Sequence, residues 1–175
     1  MEKGINRECP ICGEGKQAKH LVCSDCYNVY INEAGRSLAR DGKIPPFTVW
    51  AHERIEKRLG ELKNQLTQKK EEYIGLQEQV RADAYTILAN SLRGKNITNS
   101  LRGKNIVGDI FKNALAEKKK EIWGIKGGNK LHYELKSIES NIVFLQGLKD
   151  ELQTKIQSFE SRSASDVPIL LPQAV

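Results

Sequence analysis

Four cysteines stand in two short pairs, Cys9-Pro10-Ile11-Cys12 and Cys23-Ser24-Asp25-Cys26, with ten residues between Cys12 and Cys23. Each pair can present two thiolates from one tight turn. Two such pairs complete a tetrahedral four-sulfur set, the donor set of a structural Zn²⁺ ion. Gly13, directly after Cys12, suits the left-handed backbone that such a turn often needs. With four protein ligands no coordination position stays open, so the expected metal is structural and not catalytic. It would supply folding free energy to a segment too small to fold by burial alone. The same cysteines are compatible with a rubredoxin-like iron site and with thiol redox chemistry; zinc is the expected cofactor. His20 and His52 stand outside the pattern, and His20 is expected to be exposed in its loop.

Cys9-Pro10-Ile11-Cys12-Gly13 followed by Leu21-Val22-Cys23-Ser24-Asp25-Cys26 resembles a zinc ribbon or treble-clef finger. The resemblance implies a short β-hairpin plus a helix that begins at the second pair. The residues after Cys26 fit that helix. Tyr27, Ile31, Ala34 and Leu38 recur at helical spacing, and Gly42 supplies a stop. The resemblance covers about a quarter of the chain, and fingers of this type bind DNA, RNA or proteins.

A second group of residues could bind anions. Net charge is +6, and its excess is local. Residues 93–130 hold ten basic and three acidic side chains, against seven and seven in 48–92. This segment opens with a tandem repeat: Asn90-Ser91-Leu92-Arg93-Gly94-Lys95-Asn96-Ile97 returns at 99–106. The offset of nine turns a helix through about 900°, which puts the copies on opposite faces, and an odd offset also reverses a strand. A loop is therefore expected. Arg93, Lys95, Arg102 and Lys104 are candidate contacts to phosphate oxygens; the alternative is a duplication with no function of its own. No Ser or Thr follows either Gly-Lys pair, so neither is a Walker loop. Lys118, Lys119 and Lys120 add to the basic surface, on a helix marked by Val107, Ile110, Phe111, Leu115, Ile122 and Ile125. A lysine run can equally be a solvated face.

The rest of the chain has to position these groups. Ile44-Pro45-Pro46 cannot continue a helix. Thr48 is the expected cap of the next one, and Trp50 is expected to pack between the finger and that helix. Ile55, Leu59, Leu62, Leu66, Tyr73, Leu76, Val80 and Ile87 form a heptad seam. Leu131, Leu135, Ile138, Ile142, Leu145, Leu152, Ile156 and Phe159 form a second. An antiparallel hairpin follows, with Ile87 facing Leu131, Val80 facing Ile138, Tyr73 facing Leu145 and Leu59 facing Phe159. In that register Lys69 and Lys149 share a layer and snorkel outward toward Glu72 and Asp150.

The expected fold class is mainly α: a small zinc finger, then a long antiparallel coiled-coil hairpin with a basic head. The divisions are 1–43 for the finger, 44–47 for a linker, and 48–92 and 130–160 for the arms. The head takes 93–129 and a disordered tail 161–175. Within that tail Pro168-Ile169-Leu170-Leu171-Pro172 could dock in a groove elsewhere. Hydrophobic residues make up only 39% of the chain and charged ones 29%, a balance suited to elongated helices. No apolar run approaches the ~20 residues of a membrane span. Met1-Glu2-Lys3-Gly4-Ile5-Asn6 lacks the apolar core of a signal peptide. The expected location is cytoplasmic, where cysteines serve as metal ligands more often than as disulfides.

The expected function is non-enzymatic: a zinc-finger coiled-coil factor whose head contacts nucleic acid or an acidic nucleoprotein surface. The alternative is a structural adaptor that binds proteins through its coiled coil and tail. No nucleophile with a base and no carboxylate cluster is visible. The chain also has a loose similarity to bacterial polymerase-binding factors that join a four-cysteine finger to a coiled-coil hairpin. Those carry acidic hairpin tips. This tip is basic, so their activity near a catalytic magnesium is not carried over.

Overall fold

A computed structural model describes residues 8–93 and 106–165. The fold is mainly helical. In chain order the helices are α1 (Ser24–Asp41), α2 (Phe47–Arg93), α3 (Ile106–Ile125) and α4 (Gly128–Ser165). The chain divides into two compact units. Unit 1 takes Met1–Lys63 and Ser140–Val175, and unit 2 takes Asn64–Glu139. Both α2 and α4 therefore contribute residues to each unit. The Arg-Gly-Lys repeat and the Ile-Leu-Leu tail lie outside the described residues, apart from the end of α2 and Ile106 at the start of α3.

The expected β-hairpin is not formed. Among the described residues there is one isolated antiparallel bridge, Glu8 to Gly15, and no strand. The reason lies in the spacer. Residues 14–20 read Glu-Gly-Lys-Gln-Ala-Lys-His, without the β-branched and aromatic residues that a pleated, half-buried surface needs.

Helix α1 begins at the second cysteine pair, with Cys23 as its N-cap, and ends at Gly42. That residue has φ 67° and donates its N–H to the Leu38 carbonyl at 3.0 Å. This is a left-handed terminator of the kind glycine adopts without strain. The buried face differs from the expected one. Cys26, Tyr30 and Ala34 are buried, whereas Tyr27, Ile31 and Leu38 are each 49% exposed. Two apolar stripes compete on this short helix. The one that carries a metal ligand candidate wins the interior.

Helix α2 starts at Phe47, one residue before Thr48, and the Pro46 carbonyl accepts the Trp50 N–H at 3.1 Å. Proline ahead of the first turn fixes φ, so no hydroxyl cap is required to set the start. In unit 1 the first turns of α2 bury Ala51, Ile55, Leu59 and Leu62, and α4 buries Leu145 and Leu152. Each of the large aliphatic side chains contributes about 1.5–3 kcal/mol by leaving water.

Unit 2 has its own core of Val80, Ala84, Leu115 and Ile122, flanked by Leu76, Leu88, Phe111 and Trp123. The expected register fails here. Val80 packs with α3 and not with Ile138, and Tyr73 meets the rings of Trp123 and His132 instead of Leu145. Lys69 reaches Glu72 at 2.8 Å and Glu134 at 3.4 Å, while Lys149 pairs with Glu56. No lysine layer forms. Lys149 thus meets a residue thirteen positions earlier in α2 than expected, close to two heptads. The cause is α3. Its apolar face occupies the part of α2 that a simple hairpin would leave to α4. Ile87 and Phe159, at the ends of the two seams, are 40% and 61% exposed.

Only Lys126 and Gly127 separate α3 from α4. Gly127 takes φ 77°, and Gly128 lies directly against the Trp123 indole, where a Cβ would overlap the ring.

Candidate metal centre

The first cysteine pair is shaped by two backbone bonds. Cys9 N–H donates to the Glu14 carbonyl at 2.7 Å, and Gly13 N–H donates to the Cys9 carbonyl at 2.9 Å. Gly13 sits at φ 84° and closes the turn. The second pair is shaped by the start of α1. There Cys23 Sγ accepts the Cys26 N–H at 3.4 Å, and the Cys23 carbonyl accepts the Tyr27 N–H at 3.0 Å.

Together these turns bring Cys9, Cys12, Cys23 and Cys26 into one cluster whose sulfurs all lie within 4.8 Å of one another. Cys12 Sγ and Cys23 Sγ are 3.5 Å apart, and all four cysteines are free of disulfides. Sulfurs at ~2.3 Å from a tetrahedral Zn²⁺ would be about 3.8 Å apart. The cluster is therefore close to that dimension, and the four cysteines could hold a metal ion. Cys9, Cys23 and Cys26 are buried and Cys12 is exposed.

The thiols differ in acidity. Burial opposes ionisation of Cys9, yet hydrogen bonds from the backbone of Cys12, Cys23 and Ile11 outweigh it and bring the thiol down to about 7. Burial pushes Cys12 up. Burial, then the Cys23 and Cys12 side chains, push Cys26 up further. Without metal, one sulfur is thus poised to ionise near neutrality while two hold their protons. A soft cation placed among them would displace those protons.

The surroundings of the cluster were not legible from spacing. Arg58, on α2, donates through Nη1 to the Ile11 carbonyl at 2.9 Å and lies over Gly13. A narrow crevice beside it is lined by Cys9, Pro10, Asn141, Phe144 and Leu145, so α4 also reaches the first turn. Trp50 is buried between α1 and α2, as expected. Its Nε1–H donates to Glu33 at 2.6 Å, its ring packs on Tyr30 and Phe47, and Arg54 lies over it. Tyr30 also ties the linker through a 2.9 Å bond to the Pro45 carbonyl. His20 is exposed, and His52 has a buried Nε2 without a hydrogen-bond partner; neither joins the sulfur cluster.

The expected anion-binding residues divide. Arg93 is the last residue of α2, and Lys95, Arg102 and Lys104 fall outside the described residues. On α3, Lys118 is engaged by Glu121 at 2.7 Å and Lys119 lies over the Tyr85 ring. Lys119 and Lys120 line a groove between α2 and α3, with Arg81 opposite. Arg81 belongs to α2, outside the basic segment, and no charge count drew attention to it.

No family model, no curated protein and no solved structure matches this chain.

Proposed function

We propose that this chain is a non-enzymatic factor in which Cys9, Cys12, Cys23 and Cys26 hold a structural Zn²⁺ ion and basic side chains contact nucleic acid, alone or within a nucleoprotein complex. The observation that carries the reading is the closed set of four sulfurs. Four thiolates complete a tetrahedron and leave no position for water or substrate, so the ion would organise the fold and not perform a reaction. The basic residues of α3 and of the repeat supply charge of the sign that phosphates attract, and the affinity would fall steeply with salt. In a coiled-coil reading, α2 and α4 serve as the scaffold for both. No described helix is long and apolar enough to cross a membrane. Free cysteines suit the reducing cytosol.

Two measurements test this. Elemental analysis of the purified protein should find about one zinc per chain; iron in its place, or no metal at any stage, refutes the zinc assignment. Binding to DNA and RNA measured against salt should show steep dependence. A protein that binds neither at low salt is no nucleic-acid factor. One observation favours the adaptor alternative: Tyr27, Ile31 and Leu38 leave an apolar stripe half exposed on α1. Proteins that co-purify with the chain, and are lost on polar substitution of Ile31, would support that reading instead.

A further inference from the structure

The described basic side chains of unit 2 fall into two groups. Lys69, Lys70, Lys118, Lys126 and Lys130 each lie within ion-pair distance of a carboxylate. Lys112 and Lys136 make interactions of their own. Arg81 and Lys120 have no carboxylate partner among the described residues, and the Lys119 ammonium lies 5.8 Å from the centre of the Tyr85 ring. Arg81, Lys119 and Lys120 line a single groove of about 530 Å³ between α2 and α3.

The groove is not merely charged. Its wall includes Ile74, 55% exposed, and the indole of Trp123. That indole meets the Tyr73 ring in a T-shaped contact, with ring centres 5.1 Å apart, and lies against the backbone at Gly128. An aromatic surface beside unneutralised cations is the combination that binds single-stranded nucleic acid. Cations follow the phosphates while bases stack on the π-face. A duplex keeps its bases paired inside and would touch only the cations, leaving Ile74 and Trp123 uncovered.

We infer that the α2–α3 groove is a binding site for single-stranded nucleic acid, with Arg81, Lys119 and Lys120 on phosphates and Trp123 against a base. This deepens the nucleic-acid reading above and rests on it. Glu78 lines the same groove and opposes phosphate there. It limits affinity and is the built-in counter-test.

The test uses full-length protein and fluorescent single strands of about 12 nucleotides, beside the matching duplex, read by anisotropy at about 50 mM salt and upward. Arg81→Gln and Lys120→Gln should each weaken single-strand binding by about five- to tenfold and reduce the salt slope by about 0.7. Lys70→Gln removes the same charge from a lysine already paired with Glu139 and outside the groove, and should change binding by less than about twofold. Glu78→Gln should tighten binding. These positions are on the surface, and circular dichroism would verify that the variants keep their helices. If wild type binds but Lys70→Gln and Lys120→Gln fall equally, binding is diffuse attraction and the groove assignment is wrong. Duplex bound as tightly as single strand, or a poly-glutamate peptide competing as well as an oligonucleotide, also overturns it. No binding of any nucleic acid at low salt removes the parent reading as well.

Discussion

Arg58 holds the first cysteine turn from outside it: its Nη1 donates to the Ile11 carbonyl, and its guanidinium fills the space that a side chain at Gly13 would need. Among the described residues no carboxylate pairs with this cation, and its Nε is buried without a hydrogen-bond partner. Four thiolates around a divalent ion carry net negative charge. A neighbouring guanidinium offsets it. Arg58→Ala should weaken metal retention in chelator competition and lower stability by about 1.5–3 kcal/mol, the cost of losing a charged hydrogen bond. Arg58→Lys should recover only part of that, because an ammonium cannot lie flat over the turn. Unchanged chelator competition in Arg58→Ala would show that α2 is a bystander to the metal.

Metal retention should depend on pH with a definite sign. Burial pushes the Cys12 and Cys26 thiols up, so they are protonated in the metal-free protein at neutral pH, and metal must displace those protons. Cys9, at about 7, gives up part of its proton unaided. Apparent affinity should therefore fall as pH is lowered through neutrality. Titration of a coloured cobalt complex against pH would follow this. Affinity that is flat between about pH 8 and 6 would contradict thiolate ligation.

Glu33 links α1 to α2 at Trp50. The Trp50 indole N–H and then Arg54 hold its carboxyl below the usual range of about 4.5. A carboxyl pKa lowered by the fold stabilises at pH values above the unfolded pKa, and that contribution disappears as pH falls through the folded pKa. Glu33→Gln should therefore lower Tm at pH 7, and the difference from wild type should shrink as pH falls below about 4.5. Thermal melts across a pH series from 7 downward, followed by indole fluorescence, decide the matter.

Helix-interior glycines divide by their surroundings. At Gly60, Gly75 and Gly147 a Cβ would meet nothing within 4 Å. Alanine at each should stabilise by about 0.5–1 kcal/mol, through helix propensity alone. Gly128→Ala should do the opposite, since the added carbon overlaps the Trp123 ring. Chemical denaturation of the four variants gives the comparison, and a stabilised Gly128→Ala would mean that the indole moves aside easily.

Much of the metal cluster was readable because short-range spacing encodes it. Two residues between cysteines fix a turn, and Gly13 and Gly42 mark backbone conformations that few other residues adopt. The helical seams were readable for the same reason, as with the buried Ile55, Leu59, Val80, Leu145 and Leu152. What periodicity does not contain is which seam meets which. Val80 is as good a partner for Ile122 as for Ile138, and only the short Lys126–Gly127 connection brings α3 back against α2. Arg58 and Arg81 were illegible for a further reason. Arg58 lies 47 residues from Ile11 in sequence, and nothing local distinguishes it from Arg54.

Cys23 occupies two offices with one atom, since the sulfur counted among the four also caps the first turn of α1. Serine is a good cap and a poor partner for soft cations. Exchange to serine therefore strips one office and spares the other, whereas alanine vacates both. The step from wild type to serine isolates how far the helix owes its beginning to the ion, and the step from serine to alanine how far to the cap.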